Sequence, residues 1–322
     1  MNSKSTFLEQ DLVNIIASMT FKLPNYPSVF FEAGYRVEFV EKEFDSTQDG
    51  KAKEVKFDIV LNNTSKNHSI SFECKSGSAE LEQLIKYSNL TAEEMVLVGG
   101  VSSSKPDSHT SDIAIVFNES NLGKILKDTA SFNFTHLSIS NSPIEIKMLD
   151  EPFQDDDLCT LLSLPIEYPD LIYEVFRVSG QTPLFKYVKI IAGELIAISV
   201  NGDDTFTLDQ LAEAVCSTIP GLYPSRVGSQ MRKEIENKIG NVLTNGSKYE
   251  LRGYFEWNNR TRTGKLKKIK PGCKATTNQA FRNAVSDMSE RLRLNSPIPA
   301  KYLVKSKEDP NQYALVFDID EQ

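Results

Sequence analysis

Residues 56–90 read KFDIVLNNTSKNHSISFECKSGSAELEQLIKYSNL. Two apolar runs, Val55–Leu61 and Ser69–Cys74, have the composition of strands and are joined by the turn-rich NNTSKN. Asp58 interrupts the first run, and Glu73-Cys74-Lys75 closes the second. Side chains alternate between the faces of a strand, so Glu73 and Lys75 share one face while Ile70, Phe72 and Cys74 turn into the core. The same rule sets Phe57, Ile59 and Leu61 opposite Asp58. Ser78 is a suitable cap for a helix to about Leu90, with Leu81, Leu84 and Ile85 buried. Gln83 and Tyr87 stand one turn apart on a common face of it.

Phosphodiester hydrolysis needs a held divalent metal, an activated water and stabilisation of the charge that builds on phosphorus. Mg²⁺ takes hard oxygen ligands, typically one or two carboxylates with waters and substrate phosphate. A hairpin pairing of the two runs brings Asp58 near Glu73 and delivers the Lys75 ammonium beside them. The backbone carbonyl of Cys74 completes the set.

These residues resemble the PD-(D/E)xK nuclease superfamily over roughly residues 5–100. The resemblance implies a mixed-sheet, restriction-endonuclease-like α/β domain. It implies that Asp58 and Glu73 bind metal, with the Cys74 carbonyl, and that Lys75 positions the attacking water and stabilises charge. It also implies an additional acid on the first helix, for which Glu9 is placed, with Asp11 and Glu32 as the other acids of that region. Gln83 and Tyr87 are similar to the QxxxY element of exonuclease-type members and are expected to bind substrate. Phe57 stands where many members carry proline. The implied cofactor is Mg²⁺, with Mn²⁺ able to substitute.

Around this stretch, apolar spacing predicts a helix over Thr6–Met19, capped by Ser5 or Thr6, and a strand Tyr35–Val40. Met95–Gly99 is wholly apolar and reads as an interior strand. Strand Asp112–Phe117, helix Leu122–Thr129 and strands near Leu137–Ile139 and Ile144–Met148 follow. This order predicts an α/β nuclease-like domain over residues 1–150. An acidic, proline-bearing junction lies near residues 150–157. Beyond it Leu158–Val178 reads as mostly helical and Phe185–Val200 as β-rich, turning at Gly193.

From Thr205 the pattern changes. Thr207 is placed to cap a helix Leu208–Cys216, a second helix covers about Arg226–Leu243, and a strand Tyr249–Trp257 leads through NNRTRTG into KLKKIK. Helix, turn, helix and basic hairpin is the order of a winged helix. A helix near Gln279–Leu294 and a strand Tyr313–Ile319 close the chain. Residues 151–322 are therefore expected to form a second, α+β domain with a winged-helix-like, nucleic-acid-binding region at about 205–295.

The formal net charge of −8 conceals an asymmetry. Residues 1–150 carry 14 Lys/Arg and 21 Asp/Glu, residues 151–222 carry 3 and 12, and residues 223–322 carry 19 and 11. A basic terminal third is the footprint expected of a module that holds a polyanion. Arg226, Gln230 and Lys233, with Ser225 and Ser229, form the expected reading face of the second helix. Arg260, Arg262, Lys265, Lys267 and Lys268, together with Lys270, are expected on phosphates, with Trp257 and Tyr254 beside them to stack or to pack.

The four cysteines are scattered singly and do not make zinc-ligand spacing with the three histidines. Cys74 reads as a core thiol and His68 as a surface histidine of the hairpin loop. No apolar window is long enough for a membrane span, and MNSKSTFLEQDL lacks the apolar core of a secretory signal, so a cytoplasmic protein is expected. The predicted function is metal-dependent DNA endonuclease activity, in restriction, defence or mobile-element processing. Double-strand cleavage would call for a homodimer or a partner protein. The alternatives are a non-catalytic DNA-binding or assembly protein on a degenerate nuclease scaffold, and an effector in which residues 91–200 sense a small ligand.

Overall fold

The structure is a computed structural model and describes residues 6–48, 51–149, 151–201, 203–223, 225–246, 255–266, 303–305 and 313–315. The chain divides into two compact units, residues 1–177 with 217–232, and residues 178–216 with 233–322.

The first unit is built on a seven-stranded mixed sheet. Its strands are β1 (Arg36–Gln48), β2 (Lys51–Asn63), β3 (His68–Lys75), β4 (Thr110–Asn118), β5 (Thr135–Asn141), β6 (Ile144–Met148) and β7 (Ile166–Tyr168), in that spatial order. The β3–β4 and β4–β5 pairs are parallel and the rest antiparallel. Parallel neighbours need crossovers, and helices supply them. Here α3 (Leu81–Ser88) and α4 (Ala92–Leu97) follow β3, and α5 (Leu122–Thr129) follows β4. Before the sheet come α1 (Glu9–Ser18) and α2 (Val29–Glu32), and α6 (Asp156–Leu161) precedes β7.

Helices cover both faces. Leu84, Tyr87, Met95 and Ile125 from α3, α4 and α5 pack with Val55, Phe57, Ile115 and Phe117. On the other side Phe30 of α2 meets Phe72 edge-on, and α1 buries Leu12, Ile15 and Ile16. The even-numbered residues of β3 face this second layer. Ser71, odd-numbered, reaches Met95 instead.

Several expectations are corrected. Met95–Gly99 is not a strand, because Thr91 and Glu94 form a reciprocal capping box that starts α4. The α3 cap is Glu80 rather than Ser78, and the α1 cap is Leu8, whose N–H donates to Asp11. Leu158–Val178 is not mostly helical. Asp155 caps the short α6, and β7 then joins the sheet on the far side of the acidic junction.

In the second unit, α7 (Leu184–Asn201) occupies the stretch expected to be β-rich. Its buried Phe185, Val188, Ile191, Ala192 and Leu195 recur at helical spacing, which outweighs the β-branched composition. β8 (Thr205–Thr207) leads into α8 (Leu208–Cys216), where Thr207 and Gln210 cap reciprocally. Then come α9 (Ser229–Gly246, begun in the first unit), β9 (Phe255–Asn258) and β10 (Thr263–Leu266). They make a three-stranded antiparallel sheet ordered β8-β10-β9. The Phe206 ring lies over Gly264, where a Cβ would come within 2.0 Å of it, and stacks on Trp257 at 6.2 Å. β11 (Leu303–Lys305) pairs with β12 (Tyr313–Leu315), the described part of the expected strand Tyr313–Ile319. The expected helix near Gln279–Leu294 lies outside the described residues. No helix of the described residues is long and apolar enough to cross a membrane.

Candidate active site

The decisive irregularity is at Asp58. The β1–β2 ladder pairs Val40 with Ile59 and Lys42 with Phe57 but skips Glu41 and Asp58. Glu41 has a left-handed backbone, φ 46°, which a non-glycine residue adopts rarely. The β2–β3 ladder stops one residue short of Asp58, at Ile59–Phe72. Alternation in β2 changes phase there. Phe57 joins Val60 in the α3 cluster instead of lying with Ile59 and Leu61 as strict alternation predicts.

The opened ladder is satisfied by side chains. The Cys74 N–H donates to Asp58 Oδ2 at 2.7 Å, and the Tyr87 hydroxyl lies within hydrogen-bond distance of the Lys56 carbonyl, at 2.9 Å. Buried backbone groups need such partners.

Glu73 and Lys75 share a face as alternation requires, with Lys75 Nζ 2.5 Å from Glu73 Oε1. Gln83 bridges them. It accepts from Lys75 Nζ at 2.9 Å and donates to Glu73 Oε1 at 3.0 Å. The single proton of the Tyr87 hydroxyl goes to the nearer and charged acceptor, Glu73 Oε2 at 2.5 Å, and the hydroxyl accepts from Gln83. Tyr87 is 1% exposed and stacks on Phe57 at 4.5 Å. It is therefore a buried residue that holds Glu73, rather than one presented to substrate. Cys74 is fully buried. Burial, then Asp58 and Glu73, push its thiol well up, so it is not a nucleophile.

Burial raises the Asp58 carboxyl well above the usual range, the nearby Glu73 charge adds to it, and the Cys74 N–H and Lys75 oppose it. Glu73 is raised by burial and pulled back by Lys75 and Tyr87. Burial alone would depress the Lys75 ammonium, but Glu73, Asp58 and Glu9 outweigh it and hold it above the ordinary lysine value. Two desolvated carboxylates thus share one cation. Glu9 stands at the edge of this group, its Oε1 3.4 Å from Ser76 Oγ. Asp11 and Glu32 do not join it, being occupied with Leu8 N–H and Ser28. Among the described residues no three His, Cys, Asp or Glu side chains converge as a metal-binding group.

Two acidic or basic residues near Asp58 escaped the sequence reading. Glu41 pairs with Lys56 at 2.8 Å, and both act electrostatically on Asp58 or are acted on by it. His68 was expected at the surface but is 4% exposed. The Tyr35 hydroxyl lies 2.7 Å from its Nδ1, and Asp112 lies 3.3 Å from its Nε2. Tyr35 donates onward to Asp155, which Lys66 also holds. This buried cluster sits at the opposite end of β3 from Glu73 and Lys75.

Of the residues expected on nucleic acid, Gln230, Lys233, Arg260 and Lys265 are exposed. Arg226 is not on α9. It precedes the helix and pairs with the buried Glu38 at 2.8 Å. Arg262 pairs with Glu236. Trp257 packs on Phe206. Lys267, Lys268 and Tyr254 lie outside the described residues.

The first unit is thus a mixed α/β layer structure with a carboxylate–lysine group where its central strands part. The chain belongs to the MJECL32 domain family, whose profile matches residues 8–173, from the cap of α1 past the last strand of the sheet. A curated relative from Methanocaldococcus jannaschii, "Uncharacterized protein MJECL32", is 28% identical over 210 residues, 60% of this chain and 47% of the relative. The chain therefore spans about half the length of that relative. No solved structure matches.

Proposed function

We propose that the chain is a metal-dependent DNA endonuclease whose first unit has a PD-(D/E)xK-like site, with Asp58, Glu73 and Lys75 as the catalytic group. The observation that carries this is the meeting of all three at the opening between β2 and β3, with Lys75 Nζ 2.5 Å from Glu73. Two hard carboxylates that repel each other in a desolvated position, beside the carbonyl of Cys74, fit a small divalent cation such as Mg²⁺ or Mn²⁺. Asp58, Glu73 and the Cys74 carbonyl would hold it, with Glu9 at the periphery. When bound, it would supply Lewis acidity toward the phosphate and lower the pKa of water. Lys75 positions the attacking water and offsets charge on the phosphate oxygens. The water oxygen bonds to phosphorus as one P–O ester bond breaks, and the proton that the water gives up is returned through solvent to the departing alkoxide. Gln83 and Tyr87 hold Glu73 and Lys75 in register.

A winged-helix-like module over about 205–295 would supply the nucleic-acid contact. The element order β8-α8-α9-β9-β10 and the sheet order β8-β10-β9 support this, with Gln230 and Lys233 on α9 and Arg260 and Lys265 on the hairpin. Two active sites, in a homodimer or with a partner, would be needed for a double-strand break.

The test is cleavage of linear, circular and single-stranded DNA with Mg²⁺ or Mn²⁺. The wild type should cut, and Asp58→Ala and Lys75→Ala should not. Equal cutting by all three would refute the assignment. The second reading, a non-catalytic DNA-binding protein on the same scaffold, is favoured by one observation: both oxygens of Glu73 are already engaged within the protein. It predicts salt-sensitive DNA binding and calorimetric metal titrations that Asp58→Ala leaves unchanged.

A further inference from the structure

Glu41, with its left-handed backbone, lies against a segment that comes from far along the chain. The segment Arg226–Gly228 runs beside β1, makes a single parallel bridge between Val227 and Val40, and leads directly into α9 at Ser229. Val40 N–H donates to Arg226 O at 2.8 Å, and Gly228 N–H donates to Val40 O at 2.9 Å. The peptide before Glu41 is thereby pinned. The peptide after it is packed closely against the segment, since a Cβ at Gly228 would sit 2.1 Å from Glu41 O and only glycine permits the approach. Gly228 thus bonds to the peptide before Glu41 and lies against the one after it.

The segment is itself anchored. Arg226 pairs with Glu38, which is 5% exposed and also accepts from Ser102 N–H and Oγ. From Glu41 a continuous chain of contacts reaches the site. The Glu41 carboxylate holds Lys56 Nζ at 2.8 Å, the Lys56 carbonyl lies 2.9 Å from the Tyr87 hydroxyl, and that hydroxyl donates to Glu73. Asp58 stands two residues beyond Lys56, unpaired in the β1–β2 ladder where Glu41 is also unpaired.

We propose that Arg226–Gly228 is a clamp that fixes the backbone of Glu41 and thereby positions the carboxylate pair Asp58 and Glu73. Arg226 and Gly228 are positioning residues, acting through Glu41 and Lys56. The proposal rests on the metal-dependent nuclease reading above and adds a control point to its site. A strained backbone held from outside is a usual way of preorganising a site.

The test is calorimetric titration of the full chain with Mn²⁺, well below the unfolding temperature, for wild type, Asp58→Ala, Gly228→Ala, Arg226→Met and Arg226→Lys. Circular dichroism shows which variants are folded. The expected result is loss of site binding in Asp58→Ala and an approximately tenfold weaker affinity in Gly228→Ala and Arg226→Met, a displacement effect of the order that misplaced ligand-supporting groups produce. Arg226→Lys, which keeps the ion pair, should restore wild-type affinity, whereas a merely structural loss would not move affinity in a folded variant. If Gly228→Ala does not fold, Arg226→Met carries the comparison, since it removes the anchor without a steric clash. Wild-type affinity in folded Arg226→Met, with binding lost in Asp58→Ala, overturns the clamp alone. Undiminished binding in Asp58→Ala overturns the underlying metal site and the clamp with it.

Discussion

Replacing Tyr87 by phenylalanine removes one oxygen and leaves the ring stack on Phe57 in place. The hydroxyl serves Glu73 Oε2 at 2.5 Å and Lys56 O at 2.9 Å, both away from water. A hydrogen bond to a charged group contributes about 1.5–3 kcal/mol, so a loss of about 2 kcal/mol is expected at neutral pH. That is roughly a 30-fold change in the folding equilibrium, and a fall in Tm of about 4–8 °C for a unit of this size. The loss should depend on pH. Burial holds the folded-state pKa of Glu73 above its ordinary 4.5, and Tyr87 pulls it back. Without Tyr87 the folded-state pKa rises further, so the variant loses additional stability as pH rises through that window. Below about pH 4.5 Glu73 is protonated folded or unfolded, and the deficit shrinks toward the ~1 kcal/mol of a neutral hydrogen bond. Urea titrations of wild type and Tyr87→Phe at pH 4 and 7.5 measure both values. Equal midpoints at pH 7.5, or a deficit that does not change with pH, would refute the role given to Tyr87.

Asp58→Asn keeps an acceptor for the Cys74 N–H and removes a carboxylate whose folded-state pKa is raised by burial and Glu73. Such a group favours folding least once pH exceeds its folded pKa, so the variant should melt higher than wild type at pH 7.5, with the gain vanishing below about pH 3.8. Melting curves at the two pH values decide it. Gly264→Ala sets a Cβ 2.0 Å from the buried Phe206 ring and should destabilise the second unit by about 1–3 kcal/mol, visible as weakened hydrogen-exchange protection in β8 and β10. Burial lowers the Lys189 ammonium on α7 to about 8. At pH 8 it should acylate faster than an ordinary surface lysine, and peptide mass spectrometry after limited labelling gives the ranking.

Local pattern was enough for much of this architecture. The helix Leu122–Thr129 and strand Ile144–Met148 stand at the residues where periodicity sets them, and the shared face of Glu73 and Lys75 follows from alternation alone. Two failures had readable signals. Thr91-x-x-Glu94 is a capping box that outweighs the apolar run after it. In α7 the spacing of Phe185, Val188, Ile191 and Leu195 is helical despite the β-branched residues between them. His68 failed for another reason. Its partners Tyr35 and Asp112, and the Asp155 that Tyr35 donates to, are far apart in the chain, and only folding makes a burial site for it.

The residue types at 58, 73 and 75 and the strand pleat determined which chemistry is available and which side chains of β3 share a face. Those are short-range properties of a period-two backbone. The phase change at Asp58 was not among them. It depends on a left-handed Glu41 in the neighbouring strand, and that conformation is held by Arg226–Gly228, which reaches β1 only once the chain has folded back on itself. Backbone strain of this kind persists only where surrounding contacts over-determine it, so tertiary structure alone decided how Asp58 is set against Glu73.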